Sequence, residues 1–113
     1  MSRDDATVLD IVLAGRHAME FVAGMSKDAF LGDHKTQSAV QHKLLVLGEA
    51  VKRLSAGYRD QHPEVPWREI AGLRDKLIHG YDNVDLHEVW RIVTAEIPPL
   101  LAVLEPLVPK RLD

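Results

Sequence analysis

Apolar residues recur along the chain at steps of three and four. Between Ala6 and Ala23, Val8, Ile11, Val12, Met19 and Val22 follow this spacing, with Gly15 and Ala18 on the same face; this is the period of an amphipathic helix. Ser2 or Asp5 is placed to cap its start by accepting from free backbone N–H groups, and Gly24 to end it. Ser26 to Phe30 reads as a capped single turn before Gly32, and a second long helix is expected from Asp33 to about Gly57. Its stripe is Val40, Leu44, Leu47, Val51 and Leu54, but Leu45 and Val46 lie on the other side, beside Glu49. Two apolar faces imply either a central position in a bundle or a surface for self-association.

His62-Pro63 and Val65-Pro66 mark a connection, because each proline disfavours helix in the residue before it. A third helix is expected to open at Pro66 or Trp67 and close near Gly80, with Asp82-Asn83 continuing the turn. Asp85-Leu86-His87-Glu88 announces a last helix through a capping-box variant, in which Glu88 reaches back to the cap. Val89, Ile92, Val93, Glu96 and Ile97 continue it, and Pro98-Pro99 should kink or restart it before Leu100, Leu101, Val103, Leu104 and Leu107. There is no period-two alternation and no internal repeat. The predicted fold is all-α: a small up-and-down bundle of four principal helices with short extra turns, one domain over residues 1–113.

Composition narrows the function. A chain of 113 residues, 46% hydrophobic, holds one modest core and leaves little room for a deep private cavity. Fourteen Lys and Arg against seventeen Asp and Glu exclude nucleic-acid binding by bulk charge, so any such contact must be local. The absence of Cys removes disulfides, thiolate metal sites and thiol nucleophiles. The acidic start Met1-Ser2-Arg3-Asp4-Asp5 lacks the layout of an export signal, and no apolar run nears the ~18 residues of a membrane span. A cytoplasmic location is expected. His17, His34, His42, His62 and His87 form no recognisable ligand spacing, and no Gly-rich phosphate loop is present. No metal and no cofactor are expected.

The informative stretch is Ile70 to Tyr81. On a helix, Ile70, Leu73, Leu77 and Tyr81 fall in one arc and Arg74 projects at its border. A guanidinium beside a buried stripe would need a partner, which Glu49 or Asp75 could supply. Glu49 could equally form an outward i,i+4 pair with Arg53. His79 would lie ~140° around a regular helix from Arg74, so a shared site needs Arg74's long side chain, an unwound last turn at Gly80, or completion across a dimer. Taken alone, these residues fit an ordinary structural ion pair, a histidine at the negative end of a helix dipole and a packed tyrosine. Lys43, Lys52, Arg53 and Arg68 could meet an RNA backbone or merely form a solvated face, while Trp67 and Trp90 suit packing better than base stacking.

At these residues the chain resembles the HepT-like ribonuclease toxins of the HEPN superfamily. The family pattern, Arg, four residues, His, one residue and Tyr, stands here as Arg74, His79 and Tyr81, with the typical polar residue Asp75 after the Arg. The resemblance extends to Leu47-Gly48-Glu49-Ala50, to Pro66-Trp67, to Val89-Trp90 and to Pro98-Pro99. It implies the toxin of a type VII HEPN/MNT toxin–antitoxin system, a homodimer that cleaves RNA, tRNA among the candidates, without metal. Arg74 and His79 would be catalytic, with Asp75 and Glu49 in support. It also implies a partner, the MntA-type nucleotidyltransferase antitoxin, which neutralises the toxin by transferring AMP to Tyr81. Chemistry agrees with these roles: imidazole, with an ordinary pKa of ~6.5, can accept or donate a proton near neutral pH, and a guanidinium offers a charged fork to phosphate oxygens. The alternative is a non-catalytic helical dimer that docks a nucleotidyltransferase; a third reading is a purely structural helical dimer.

Overall fold

The computed structural model describes residues 2–77 and 83–109. Helix α1, Arg3–Val22, begins at a full capping box: the Ser2 hydroxyl accepts from Asp5 N–H, and the Asp5 carboxylate accepts from Ser2 N–H. Both residues proposed for the cap therefore act together. The helix ends at Ala23, and Gly24 takes a φ of 77° to turn the chain, a conformation a Cβ would strain. Helix α2, Lys27–Leu31, is the expected single turn, capped by Ser26.

Helix α3, His34–Lys52, starts where expected, with Asp33 capping it by accepting from Thr36 N–H, but stops five residues before Gly57. Leu54 is buried, and Ser55 gives both its N–H and its hydroxyl to the Asp4 carboxylate, at 2.9 and 2.7 Å. Ser55 then caps a separate helix α4, Ala56–Gln61, by accepting from Tyr58 N–H. A tertiary contact with the start of α1 thus redirects a segment whose local pattern continues the helix.

The third arm is also divided, into α5 (Trp67–Ala71) and α6 (Leu73–Leu77), joined at Gly72. The bond from Lys76 N–H to the Gly72 carbonyl restarts the helical ladder. The expected end near Gly80 lies outside the described residues. The last arm runs through α7 (Leu86–Arg91), a π turn (Ile92–Glu96), α8 (Ile97–Leu104) and a 3₁₀ turn (Glu105–Leu107). Asp85 caps α7 as expected, but Glu88 does not reach back: the Asp85 N–H already bonds the Leu77 carbonyl, and Glu88 turns to Arg91.

The fold is all-α, as predicted. Its centre is the pairing of α1 with α3, where Val8, Ile11 and Val12 and the stripe Val40, Leu44, Leu47 and Val51 are all fully buried. Each such side chain contributes roughly 1.5–3 kcal/mol of transfer free energy. The small residues of α1 let other arms approach: Gly15 faces Leu101 and Ile97 of α8. Against the other end of α3 pack α5 and α6, with Ile70, Leu73 and Leu77 buried. Among the described residues, no helix is long and apolar enough to cross a membrane.

Candidate active site

The motif arm is fixed at its start by two bonds. Trp67 is buried and donates its indole N–H to the His62 carbonyl at 3.0 Å, while its backbone N–H bonds the Val65 carbonyl at 2.9 Å. It is a packing anchor, as is Trp90, whose ring lies 5.3 Å from that of Phe30. At the far end, the Leu77 carbonyl accepts from Asp85 N–H at 3.1 Å. This contact brackets the segment carrying His79 and Tyr81, both of which lie outside the described residues.

Within α6 the division of labour is sharp. Leu73 and Leu77 point into the core, whereas Arg74, Asp75 and Lys76 are exposed. Arg74 therefore does not sit beside a buried stripe in need of a compensating charge; the arc of Leu73 and Leu77 is covered by α3 and α7, and Arg74 projects to water. It forms no ion pair with any described residue. Glu49 is exposed as well and pairs with Lys52 at 3.5 Å, and Arg53 reaches Asp10 at 3.9 Å, so neither the Glu49–Arg74 nor the Glu49–Arg53 pair forms. Lys52 and Arg53, two of the candidate RNA contacts, are thus engaged in surface pairs of small energetic weight.

Gly48, beside Glu49 in the Leu47-Gly48-Glu49-Ala50 run, has a visible function. A Cβ there would lie 3.0 Å from the Ile70 carbonyl oxygen and 3.7 Å from the Leu73 Cβ. The bare backbone of α3 lets the motif arm pack against it at minimal distance, with Leu73 placed one residue before Arg74.

A set of charges spans from the last arm to Lys76 of α6. Arg91 bonds both Glu88 and Glu96, and Glu96 also meets Lys76 of α6 at 3.8 Å. The side-chain hydrogen bond from Arg91 holds the Glu88 carboxyl below its ordinary range, and the two carboxylates, Glu88 first, push the Arg91 guanidinium still higher. The cues to this set in the sequence are the i,i+3 spacing of Glu88 and Arg91 and Pro98-Pro99, which unsettles the helix carrying Glu96. Among the described residues, no three His, Asp or Glu side chains converge as a metal-ligand group.

Residues 13–107 match the family model described as "Ribonuclease HepT-like". The chain is 43% identical over 98 residues to a "Probable ribonuclease HepT" of Thermococcus cleftensis, covering 87% of this chain and 89% of the relative. It is 39% identical over 103 residues to a "Putative RNase" of Methanocaldococcus jannaschii, covering 91% and 85%. A further "Putative RNase", of Caldanaerobacter subterraneus subsp. tengcongensis, is 44% identical over 82 residues, 73% of each chain. No solved structure matches the chain.

Proposed function

The chain belongs to the ribonuclease HepT-like family, and from that premise we propose that it is an endoribonuclease whose centre is built on Arg74 and His79. The observation that carries the proposal is the state of Arg74: a guanidinium held on a packed helix, projecting to solvent and unpaired with any described residue. Exposed and without an ion pair among the described residues, its planar fork can meet a phosphate.

The reaction such a pair supports is attack of the ribose 2′-oxygen on the adjacent phosphorus. His79 takes the 2′-hydroxyl proton as the new O–P bond forms; the bond to the 5′-oxygen breaks, and that oxygen receives a proton from an imidazolium. Arg74 bonds the non-bridging oxygens, whose charge grows in the phosphorane-like transition state. The products are a 2′,3′-cyclic phosphate and a 5′-hydroxyl end, and no step requires a metal. In a homodimer, the two His79 side chains would divide the base and acid roles.

Tyr81 is the proposed control point. A nucleotidyltransferase partner would direct the phenol oxygen at the α-phosphorus of a nucleoside triphosphate, forming an O–P bond as pyrophosphate leaves and the phenol proton is lost. The AMP group would bring bulk and negative charge two residues from His79, excluding RNA and competing for the donors of Arg74.

The test is cleavage of total and transfer RNA by unmodified protein in the presence of a chelator, comparing wild type with His79→Ala and Arg74→Ala. Wild-type cleavage with cyclic-phosphate ends, lost in both variants, supports the proposal. A folded, dimeric, AMP-free protein that cuts nothing refutes it and leaves the docking-module reading.

A further inference from the structure

Helical hydrogen bonding in the last arm widens at Ile92–Glu96, where the Ile97 N–H reaches back five residues to the Ile92 carbonyl. The two prolines that follow account for this. Neither Pro98 nor Pro99 can donate a backbone bond, and a proline ring inside an α-helix collides with the carbonyl four residues earlier, here Thr94 for Pro98. Widening the preceding turn relieves the crowding. Single π turns of this kind are frequently found at functional sites.

The wider turn has a consequence for charge. Arg91 and Glu96 are five residues apart, and on an α-helix they would point ~140° away from each other. In the π turn they meet and bond. Arg91 is held from its other side by Glu88, so Glu96 is steadied on the flank of the helix that faces α6. There its carboxylate lies 3.8 Å from the Lys76 ammonium. Signs alternate along the row Glu88, Arg91, Glu96 and Lys76, which runs from the last arm to the helix carrying Arg74.

Helix α6 needs such a contact. It has five residues, starts directly after Gly72, and is held by two buried leucines and by backbone bonds at its ends, from Lys76 N–H to the Gly72 carbonyl and from Asp85 N–H to the Leu77 carbonyl. Apolar burial is non-directional, so Leu73 and Leu77 fix the depth of α6 better than its rotation about the helix axis. A charge-assisted contact from Lys76, two residues past Arg74, supplies that orientation.

We propose that Glu96 is a positioning residue: steadied by Arg91 on the π turn, it anchors Lys76, and thereby sets the angle at which α6 presents Arg74 to the scissile phosphate. The role rests on the ribonuclease function above, and the test separates the two. Glu96→Gln, Lys76→Gln and the double variant are compared with wild type in two measurements: RNA cleavage kinetics, and amide hydrogen exchange across Leu73–Leu77. Because the side chains are about half exposed, global unfolding should hardly change. Each single variant should lower kcat about tenfold with little change in KM, the scale expected for a small misplacement of a catalytic group. The double variant should be no worse than the poorer single, and exchange should quicken in α6 alone. If Lys76→Gln raises KM and flattens the salt dependence while Glu96→Gln does nothing, Lys76 is an RNA contact and the positioning role is overturned. Additive losses in kcat overturn it too. Should wild type cleave no RNA, the ribonuclease function fails, and exchange alone decides the tether: faster in Glu96→Gln supports it, unchanged refutes it.

Discussion

The Ile70 carbonyl oxygen occupies the space that a side chain at Gly48 would need: a Cβ there would stand 3.0 Å from it. Because that oxygen is backbone, relief requires the motif arm to give by a few tenths of an ångström. Gly48→Ala gains about 1 kcal/mol of helix propensity and meets overpacking strain of about 1–3 kcal/mol. A net loss of about 1 kcal/mol in urea denaturation is expected, with reduced RNA cleavage as α6 shifts. Gly57→Ala is the control: nothing lies within 4 Å of a Cβ there, so it should stabilise by up to about 1 kcal/mol. Equal stability changes at the two sites would refute the crowding.

Gln37 is buried, and its amide donates to the Phe30 and Leu31 carbonyls at 2.9 and 3.0 Å, tying the end of α2 to α3. Leucine of similar size would leave the Leu31 carbonyl without this donor. Gln37→Leu should destabilise by about 1–3 kcal/mol, read as a lower midpoint at an unchanged denaturant slope. A neutral result would mean that water replaces the amide.

Acid stability should depend on Asp4. Hydrogen bonds from the Ser55 backbone and then its hydroxyl hold the Asp4 carboxyl below its ordinary value of 3.8. A depressed folded value contributes stability that is present above 3.8 and is lost as pH falls through the folded value. The unfolding midpoint of wild type should therefore decline below about pH 4 more steeply than that of Asp4→Asn. Asp33 and Glu88 add to the wild-type decline in the same sense. Tyr58 acts on the alkaline side: burial, then Asp5 and Asp4, raise its phenol above 10.0, so its contribution holds below that value and fades as pH rises through the folded one. Parallel acid limbs for wild type and Asp4→Asn would disprove the link.

Arg74→Lys keeps the charge but removes the planar fork. Since Arg74 is exposed, stability should stay within about 0.5 kcal/mol of wild type, while kcat/KM for RNA should fall roughly 100-fold, the scale of losing a transition-state donor. Full activity in the lysine variant would show that only charge is required.

Tyr81→Phe removes the proposed AMP acceptor and leaves the ring. The variant should still cut RNA but escape inactivation by a nucleotidyltransferase partner, with no mass gain of an AMP group on the intact chain. Modification at the wild-type level would place the acceptor elsewhere.

Much of this protein is legible in its sequence, because helices declare themselves locally. Ser2, Ser26, Asp33 and Asp85 cap the helices that follow them, and the stripe from Val40 to Leu54 is buried as its spacing predicts. Arg74, His79 and Tyr81 stand out through the resemblance of their stretch to the family motif, since their types and spacing taken alone fit ordinary structural roles. What spacing cannot convey is which neighbour a charge meets. Glu49 pairs with Lys52, Arg53 turns to Asp10 of α1, and Arg74 faces water while Leu73 and Leu77 are buried.

Local pattern thus determined the all-α class, the caps and the core stripe, each a property of residues within a few turns of one another, while the candidate chemistry was legible only as a family motif. Tertiary structure alone decided that α3 stops at Lys52, because Ser55 is claimed by Asp4 fifty-one residues away. It alone decided that Gly48 admits the Ile70 carbonyl, and that Glu96, on the turn widened by Pro98-Pro99, meets Lys76. These are contacts between distant segments, whose energies depend on distances that exist only once the helices have packed.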